Sequence, residues 1–243
     1  MLRYRDGLHV RTIGSYGEGD GQFSCPHGIA LDCSGHLVVA DHLNHCVQVL
    51  RYRDGAHVRT IGSKGRRAGR LLLPTGVAVE PEGNIVVHDG HLQVFRLSDG
   101  AHIRSMCRTG SGNGQLLGGG DVAFDDEGNL VVSDSGSNRI QVLRYRDGLH
   151  VRTIGSSGAG DGQFSYPQGI AFDRSGHLVV ADCENHRVQV LRYRDGAHVR
   201  AIGSKGSDEG QLLQLRFSKG VAVDGDGRIV VCDTGNSRLQ VLP

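Results

Sequence analysis

The sequence has no tryptophan, few prolines and no excess of charge of either sign, since 27 Lys and Arg stand against 26 Asp and Glu. This balance removes general electrostatic attraction as an argument for a nucleic-acid or membrane-surface protein, so such a partner would need a local patch. No run of about 18 apolar residues occurs, and the polar start (MLRYRD) lacks a signal-peptide core. We therefore expect a soluble, cytoplasmic protein.

Cysteine pairs with metal-binding spacing are also lacking, because none of the six cysteines forms a Cys-x-x-Cys motif. They are too sparse for a secreted disulfide scaffold, and we expect reduced thiols at positions 25, 33, 46, 107, 183 and 232. Glycine, in contrast, is abundant at 38 residues, beside an ordinary apolar content of 38%. This composition favours a turn-rich globular fold over a collagen-like or disordered chain.

A repeat of about 48 residues organises the chain. Residues 23–65 realign on residues 164–206 with eight differences over 43 positions. A Val-Val-x-Asp unit recurs in all five copies, and its aspartates are Asp41, Asp89, Asp134, Asp182 and Asp233. Self-similarity at this period is typical of solenoids, propellers and other repeat arrays.

Each copy contains four short β-type runs separated by turn residues, the pattern of one propeller blade. In the first copy the predicted strands are residues 28–32, 36–40, 47–52 and 57–61. The first run is small and apolar, as suits an innermost strand, and the last is polar, as suits an exposed edge. We therefore predict an all-β fold: a single five-bladed β-propeller of four-stranded antiparallel blades.

The two ends of the chain fall at one position of the repeat, because Leu2 and Leu242 both align with Leu50. The C-terminal segment has three strand-like runs, which are residues 220–224, 228–232 and 239–242, and it lacks the outer one. We predict that residues 8–13 supply this outer strand and thereby close the ring by removing its open edge. The alternative is an open segment of a longer array, which would leave two sheet edges exposed.

The recurring pattern Pro-x-Gly-Ile-Ala-x-Asp-x-x-Gly-x-Leu-Val-Val-Ala-Asp-x-x-Asn-His resembles the NHL repeat over essentially the whole chain. Asn44-His45 and Asn185-His186 stand where the family has its namesake residues, and the second copy has lost three residues there. Most NHL propellers have six blades, so five is a departure. The resemblance implies one propeller domain over residues 1–243, with repeats at approximately 23–70, 71–115, 116–163, 164–211, and 212–243 joined with 1–22.

The resemblance also raises an enzymatic alternative, because some related propellers are lyases or hydrolases that work at the mouth of the central channel, one type with a histidine-bound zinc. A catalytic zinc usually needs three protein ligands around one point. The candidate channel-mouth positions, one before the glycine of each inner strand, are His27, Thr75, Gly120, Gln168 and Lys219. One histidine among five positions does not build a zinc site, so we expect no metal and no cofactor.

The other histidines and the repeated aspartates favour structural roles. Five histidines open the predicted outer strands, one per blade and too far apart to share a metal: His9, His57, His102, His150 and His198. The aspartate that ends each second strand is predicted to accept hydrogen bonds from the next turn or to pair with Arg139, Arg187 or Arg238. No Cys-His arrangement for nucleophilic catalysis can be argued from the cysteine positions, so we expect a non-enzymatic protein.

One loop that leads into an inner strand is basic. In tripartite-motif-like NHL proteins, the face built by such loops binds RNA or protein, so the resemblance makes this cluster a candidate patch for RNA or an acidic partner: Lys64, Arg66, Arg67 and Arg70. Acidic residues in the other loops oppose phosphate binding: Glu18, Asp20, Asp161, Asp208 and Glu209. Base stacking has only Tyr16 and Tyr166 to draw on.

The opposite face carries Arg-Tyr-Arg-Asp-Gly four times and would present a ring of tyrosines: Tyr4, Tyr52, Tyr145 and Tyr193. One interpretation is a set of hairpin turns with internally neutralised Arg-Asp pairs. The other is a Tyr and Arg ring that recognises a protein ligand, since both residue types are enriched at interfaces. Taken together, the sequence favours a monomeric binding or scaffold module for a protein partner, with RNA binding and a channel enzyme as the alternatives.

Overall fold

Each repeat folds as an antiparallel sheet whose strands follow one another from the centre outwards. The structure is a computed structural model that describes residues 11–212 and 220–243. In the second, third and fourth repeats the valine-rich second and third strands are buried on both faces, because a neighbouring sheet packs on each side, as blades do in a propeller. The fold is the predicted all-β, five-bladed β-propeller.

The strand bounds differ by only one or two residues from those predicted. Blade I consists of Pro26–Leu31, His36–Asp41, Cys46–Arg51 and His57–Ile61. Blade II consists of Gly76–Val79, Asn84–His88, Leu92–Arg96 and His102–Met106. Blade III consists of Val122–Phe124, Leu130–Asp134, Arg139–Leu143 and His150–Ile154. Blade IV consists of Pro167–Phe172, His177–Asp182, Arg187–Arg192 and Ala197–Ile202.

Blade V has three strands within the described residues, which are Val221–Val223, Ile229–Asp233 and Arg238–Leu242. The helical content of the described residues is three single 3-10 turns at the same point of blades III, IV and V: Ser135–Ser137, Cys183–Asn185 and Thr234–Asn236. No helix in this part of the chain has the length and apolar character needed to cross a membrane.

The core lies between blades rather than within them. Between blades III and IV, for example, Val131, Ile140 and Val142 of one sheet pack against Ile170 and Leu178 of the next. Similar clusters join blades I and II, II and III, and IV and V. Backbone bonds reinforce the inner wall, since Gly28 N donates to Thr75 O across blades I and II at 2.7 Å.

The aspartate that ends the second strand ties the blade to the loop leading into it. Asp182 is fully buried and accepts hydrogen bonds from Ser165 N at 2.7 Å and from Arg187 Nε at 2.8 Å. Asn185 and Gln189 also donate to its carboxylate. Arg139 and Arg238 make the equivalent ion pairs with the aspartates of blades III and V. The predicted pairing with Arg139, Arg187 or Arg238 is confirmed, whereas the backbone donor to Asp182, Ser165 N, belongs to the loop that leads into the blade and not, as predicted, to the turn that follows the aspartate.

The predicted closing strand falls largely outside the described residues, as do Leu2, Tyr4 and His9. Residues 11–13 are described, and they lie outside any strand. Arg11 donates to the backbone carbonyls of Tyr52 and Arg53 in blade I, and Ile13 packs there against Leu37 and Leu50. Closure by pairing with blade V therefore stays a prediction.

Candidate functional site

The loops leading into the inner strands and the loops joining the second and third strands form one end of the propeller, here termed the top face. Each entering loop is closed by a short parallel pairing. These pairings join Ser15–Tyr16 to Gln22–Phe23, Lys64 to Leu71, Arg108–Thr109 to Gln115–Leu116, Ser156–Ser157 to Gln163–Phe164, and Lys205 to Leu212. The five blades thus present five similarly built loops.

A glutamine on the third strand, buried in blades I to IV and part-buried in blade V, holds each entering loop in place. In blade IV, Gln189 Oε1 accepts from Gly162 N at 3.0 Å, while its Nε2 donates to Gln163 O at 2.6 Å. Gln48, Gln93, Gln141 and Gln240 make the same pair of contacts in their blades. The loops are therefore anchored to the blades, and the surface they form is preorganised.

Large apolar side chains stand exposed on this anchored surface. The exposed fraction is 86% for Tyr16, 53% for Leu43, 38% for Leu73, 40% for Leu117 and 38% for Tyr166. Only the two tyrosines were singled out from the sequence. The signal that could have found the others is an apolar residue inside a polar turn, such as Leu73 directly before a proline.

Three residues at the rim of the channel hold an unfavourable backbone conformation. Cys25, Leu73 and Tyr166 have φ angles of 55°, 55° and 57°, in the left-handed region that glycine favours. The neighbouring blade turn fixes two of them, since Leu73 N donates to His45 Nδ1 at 3.0 Å and Tyr166 N to Asn138 Oδ1 at 2.7 Å. Such a residue costs roughly 1–3 kcal/mol, and strain of this kind clusters at functional sites.

The structure brings the predicted basic cluster together on the top face of blade II. Lys64, Arg66, Arg67 and Arg70 are all exposed. Arg70 folds back on its own loop, where its Nη1 donates to Ser63 Oγ and Lys64 O, each at 3.3 Å. The other three cations project from the loop. Burial and the nearby charge of Lys64 together lower the pKa of His45.

Four of the five channel-mouth positions lie around one end of the channel, and Lys219 lies outside the described residues. Thr75 and Gln168 are buried and bond to neighbouring blades. Thr75 Oγ1 donates to Gly120 O at 2.7 Å, and Gln168 Nε2 donates to Ser135 Oγ at 2.9 Å. His27 lines a cavity of about 360 Å³ together with Thr75 and Gln168. These positions mainly join blade to blade.

A thiol and an imidazole meet at the channel mouth, which the sequence reasoning missed. Cys25 Sγ lies 3.4 Å from His27 Nε2, and His27 stacks on His42 with ring centroids 4.0 Å apart. Cys25 is two residues from His27, and its left-handed backbone brings its side chain towards the ring. The structure therefore contains a Cys-His pair that could not be argued from the cysteine positions in the sequence.

The tyrosines of the opposite face are joined to neighbouring blades. Tyr145 Oη donates to Glu80 at 3.0 Å and Tyr193 Oη donates to Asp125 at 2.7 Å, each across a blade interface. Burial first, then the bond to Glu80, raises the pKa of Tyr145 to about 12. Tyr52 is more exposed, and Tyr4 lies outside the described residues. The structure thus brings no continuous tyrosine ring together among the described positions.

No group of three or more His, Cys, Asp or Glu is placed to hold a metal ion in residues 11–212 and 220–243. The outer-strand histidines bond locally, as His57 does to Thr60 and His150 to Thr153. All six cysteines are free thiols. The described side chains therefore offer a shaped surface with one cationic sector.

The fold and this surface define the class of protein: a β-propeller whose loops build one preorganised face. The NHL repeat model matches four segments, residues 23–50, 120–143, 164–191 and 219–242, in blades I, III, IV and V. Blade II is unmatched, and it is the copy with the shortened turn at Asp89-Gly90-His91. The chain is a five-bladed β-propeller in which four blades match the NHL repeat.

Solved structures share the fold at low sequence identity. A Bacteroides caccae protein of unknown function is 17% identical with a TM-score of 0.62, over 86% of this chain and 70% of that one. A chain of a nidogen/laminin complex is 19% identical with a TM-score of 0.58, over 74% of this chain and 64% of that one.

Streptogramin B lyase is 12% identical with a TM-score of 0.61. The match covers 90% of this chain and 65% of the lyase chain. Identities this low show the fold alone, and the chain spans less than two thirds of the nidogen/laminin and lyase chains. No curated protein matches the sequence.

Proposed function

We propose that this propeller is a binding module that recognises a protein partner through its top face. The observation that carries the proposal is the set of exposed apolar side chains held on anchored loops, above all Leu73 and Tyr166, whose backbones are strained. A folded chain gains nothing from exposing a large apolar residue at a position that suits glycine. Preorganised apolar anchors of this kind are what protein interfaces use.

The cationic sector sets the electrostatic character of the partner. Lys64, Arg66 and Arg67 project beside Leu73, so the partner would place acidic groups against blade II. Acidic loops elsewhere on the face, such as those with Asp20 and Asp161, would meet a neutral or basic part of the partner. That a solved structure of this fold belongs to a nidogen/laminin complex supports binding of proteins as a use of the architecture.

The test separates binding from stability by substituting glycine. The double variant Leu73→Gly and Tyr166→Gly removes both side chains and relieves the strained φ angles, so stability should stay the same or rise by about 1 kcal/mol. Nuclease-treated lysates would be passed over the immobilised protein, and retained proteins identified by mass spectrometry. The matched control, Val58→Ser with Val199→Ser, removes exposed apolar side chains from the outer strands instead. If the glycine variant retains the same proteins from the lysate as the control variant does, the proposal is contradicted.

RNA binding is the second candidate, and the exposed cluster in the loop of blade II is the observation that favours it. Binding of random RNA oligomers should then weaken steeply as salt rises, because phosphate contacts release counterions. Lys64→Glu, Arg66→Glu and Arg67→Glu would abolish it, while Arg70 is left intact because it packs within its loop. Unchanged RNA affinity in this triple variant would remove the candidate.

A further inference from the structure

The blades do not all have a covered face on both sides. Ile29 on the inner strand of blade I is 63% exposed, whereas its equivalents Val77, Val122, Ile170 and Val221 are 3%, 4%, 5% and 8% exposed. Leu31, two residues on, is also exposed. On the side of blade I that faces away from blade II, the inner strand therefore lacks the cover its equivalents have, while Leu37, Val39 and Leu50 farther out are buried with Ile13 and Phe23 packed against them.

Blade V shows the reverse pattern on its far side. Leu239 and Val241 of the third strand are each 57% exposed, whereas the equivalent Val188 and Val190 of blade IV are 0% and 3% exposed. Those two residues of blade IV are covered by blade V. The region between blades V and I, here termed the seam, is thus bounded by two exposed apolar faces.

Every interface between two blades joins two different sheet faces. The exposed face of blade I is equivalent to the face of blade IV that packs on blade III, and the exposed face of blade V is equivalent to the face of blade IV that packs on blade V. An element that covers both exposed faces must therefore have two apolar sheet faces of its own, as a blade does. A single added strand has no second sheet face to offer, since packed sheets lie about 10 Å apart.

Residues 11–13 already occupy the place of an outer strand belonging to a blade before blade I. Ile13 lies against Gly55 of blade I in the same way that Ile154, in the outer strand of blade III, lies against the equivalent Gly196 of blade IV. A Cβ added to Gly55 would be 3.1 Å from Ile13, and a Cβ added to Gly196 would be 3.2 Å from Ile154. Arg11 lies over the Tyr52 ring at 5.4 Å. Arg152 lies over the Tyr193 ring of the next blade in the same way, at 4.3 Å.

The space inside those residues is an apolar cavity. It has a volume of about 560 Å³ and is lined by Ile13, Phe23, Ile29, Leu31 and Val39, among others. Within residues 11–212 and 220–243, no strand pairs with the outer edge of Arg238–Leu242. Residues 11–13 therefore lie where the outer strand of a preceding blade would lie, but no described strand lies between them and blade V.

We propose that the seam binds three antiparallel strands of the same repeat type from a second polypeptide, with residues 11–13 at their outer side. The partner segment would carry a small apolar first strand and Val-rich second and third strands, so that each face matches one wall. This surface is separate from the top face, so the two proposals stand or fall independently.

Cys232 is a native reporter of the seam. It lies on the exposed side of blade V, where the equivalent Ala181 of blade IV is 1% exposed. The probe is a synthetic peptide of residues 163–192, the three inner strands of blade IV. Peptide at ten times its dissociation constant should slow alkylation of Cys232 by about tenfold, as mass action requires, with one peptide bound per chain. Mass spectrometry of the digested protein would follow each thiol separately.

The matched control peptide carries Leu178→Asp and Val179→Asp, which place a charge on each of its two apolar faces. This peptide should not protect Cys232 from alkylation. Equal protection by both peptides would overturn the proposal. The proposal is also overturned if a dimer of the chain protects Cys232, or if Cys232 is alkylated as fast with saturating peptide as without it.

Discussion

The interface between blades III and IV and the seam between blades V and I present nearly the same residues in opposite environments. Blades I and IV are near-duplicates, so Ile170 and Ile29 occupy one position of almost identical strands. Ile170 is 5% exposed and Ile29 is 63% exposed. The comparison teaches that the neighbouring sheet, rather than the residue, decides whether a strand position becomes core.

The comparison extends to the polar contacts at the edge of each interface. Tyr193 meets Phe172 edge to face at 4.9 Å, lies under Arg152 and donates to Asp125 of blade III. At the seam, Tyr52 has the Arg11 guanidinium near its ring at the longer distance of 5.4 Å. Equivalent residues therefore join two blades in one place and border an open cavity in the other.

The largest expected loss of stability comes from a substitution in the packed interface between blades III and IV. Ile170→Ala should lower the free energy of unfolding by about 2–5 kcal/mol, because it opens a cavity in a closed core. Ile29→Ala, the matched change at the seam, should cost less than about 1 kcal/mol, since that side chain is already mostly in water. Urea unfolding of both variants measures the difference. Equal losses would show that Ile29 is buried in solution and that the seam is closed.

A smaller effect is expected for the tyrosine hydroxyls. Tyr193→Phe removes a hydrogen bond to the carboxylate of Asp125, and should cost about 1–2 kcal/mol because the pair is only half-buried. Tyr16→Phe, at a side chain that is 86% exposed, serves as the control, and we expect a smaller loss from it. Chemical denaturation at neutral pH tests the pair. A loss from Tyr16→Phe as large as that from Tyr193→Phe would contradict the prediction.

Alkaline pH should destabilise the packed blade interface at which Tyr145 donates to Glu80. The pKa of Tyr145 is raised to about 12, by burial first and by the bond to Glu80 second, so the folded state favours the neutral phenol. Its contribution to stability is full below the ordinary pKa of about 10 and is lost as pH rises towards 12. Wild-type stability should therefore fall over this range, and Tyr145→Phe should fall less steeply. Unfolding curves at several pH values, with tyrosinate absorbance as a check, measure this, and parallel slopes would contradict it.

Most of the fold could be predicted from the sequence, because each repeat contains the strand and turn patterns of one blade within a short stretch of chain. The Val-Val-x-Asp unit predicted the second strand, and its aspartate was correctly expected to pair with Arg139 or Arg187. The functional surfaces were harder. The fixed hydroxyls of Tyr145 and Tyr193 depend on acidic residues 65 and 68 positions away in the chain, which no local pattern indicates.

The Cys25 and His27 contact and the exposed Leu73 were missed for a different reason. Both depend on a left-handed backbone just before a proline, a position where proline normally favours extended backbone. Cys25 and Tyr166 are different residue types at one position of the repeat, and the sequence does not show the left-handed conformation that they share. The seam was unpredictable for a third reason, since burial there depends on which sheet lies next to the face.

The smallest expected effect is the most decisive for the seam. Val241→Ser changes a residue that is 57% exposed, so it should alter the free energy of unfolding by less than about 0.5 kcal/mol. Val190→Ser, at the same position of blade IV, buries a hydroxyl between two sheets and should cost at least about 1 kcal/mol. If both variants lose the same stability, the face of blade V that carries Val241 is covered in the isolated chain. If only Val190→Ser loses stability, that face is open to the strands of a partner.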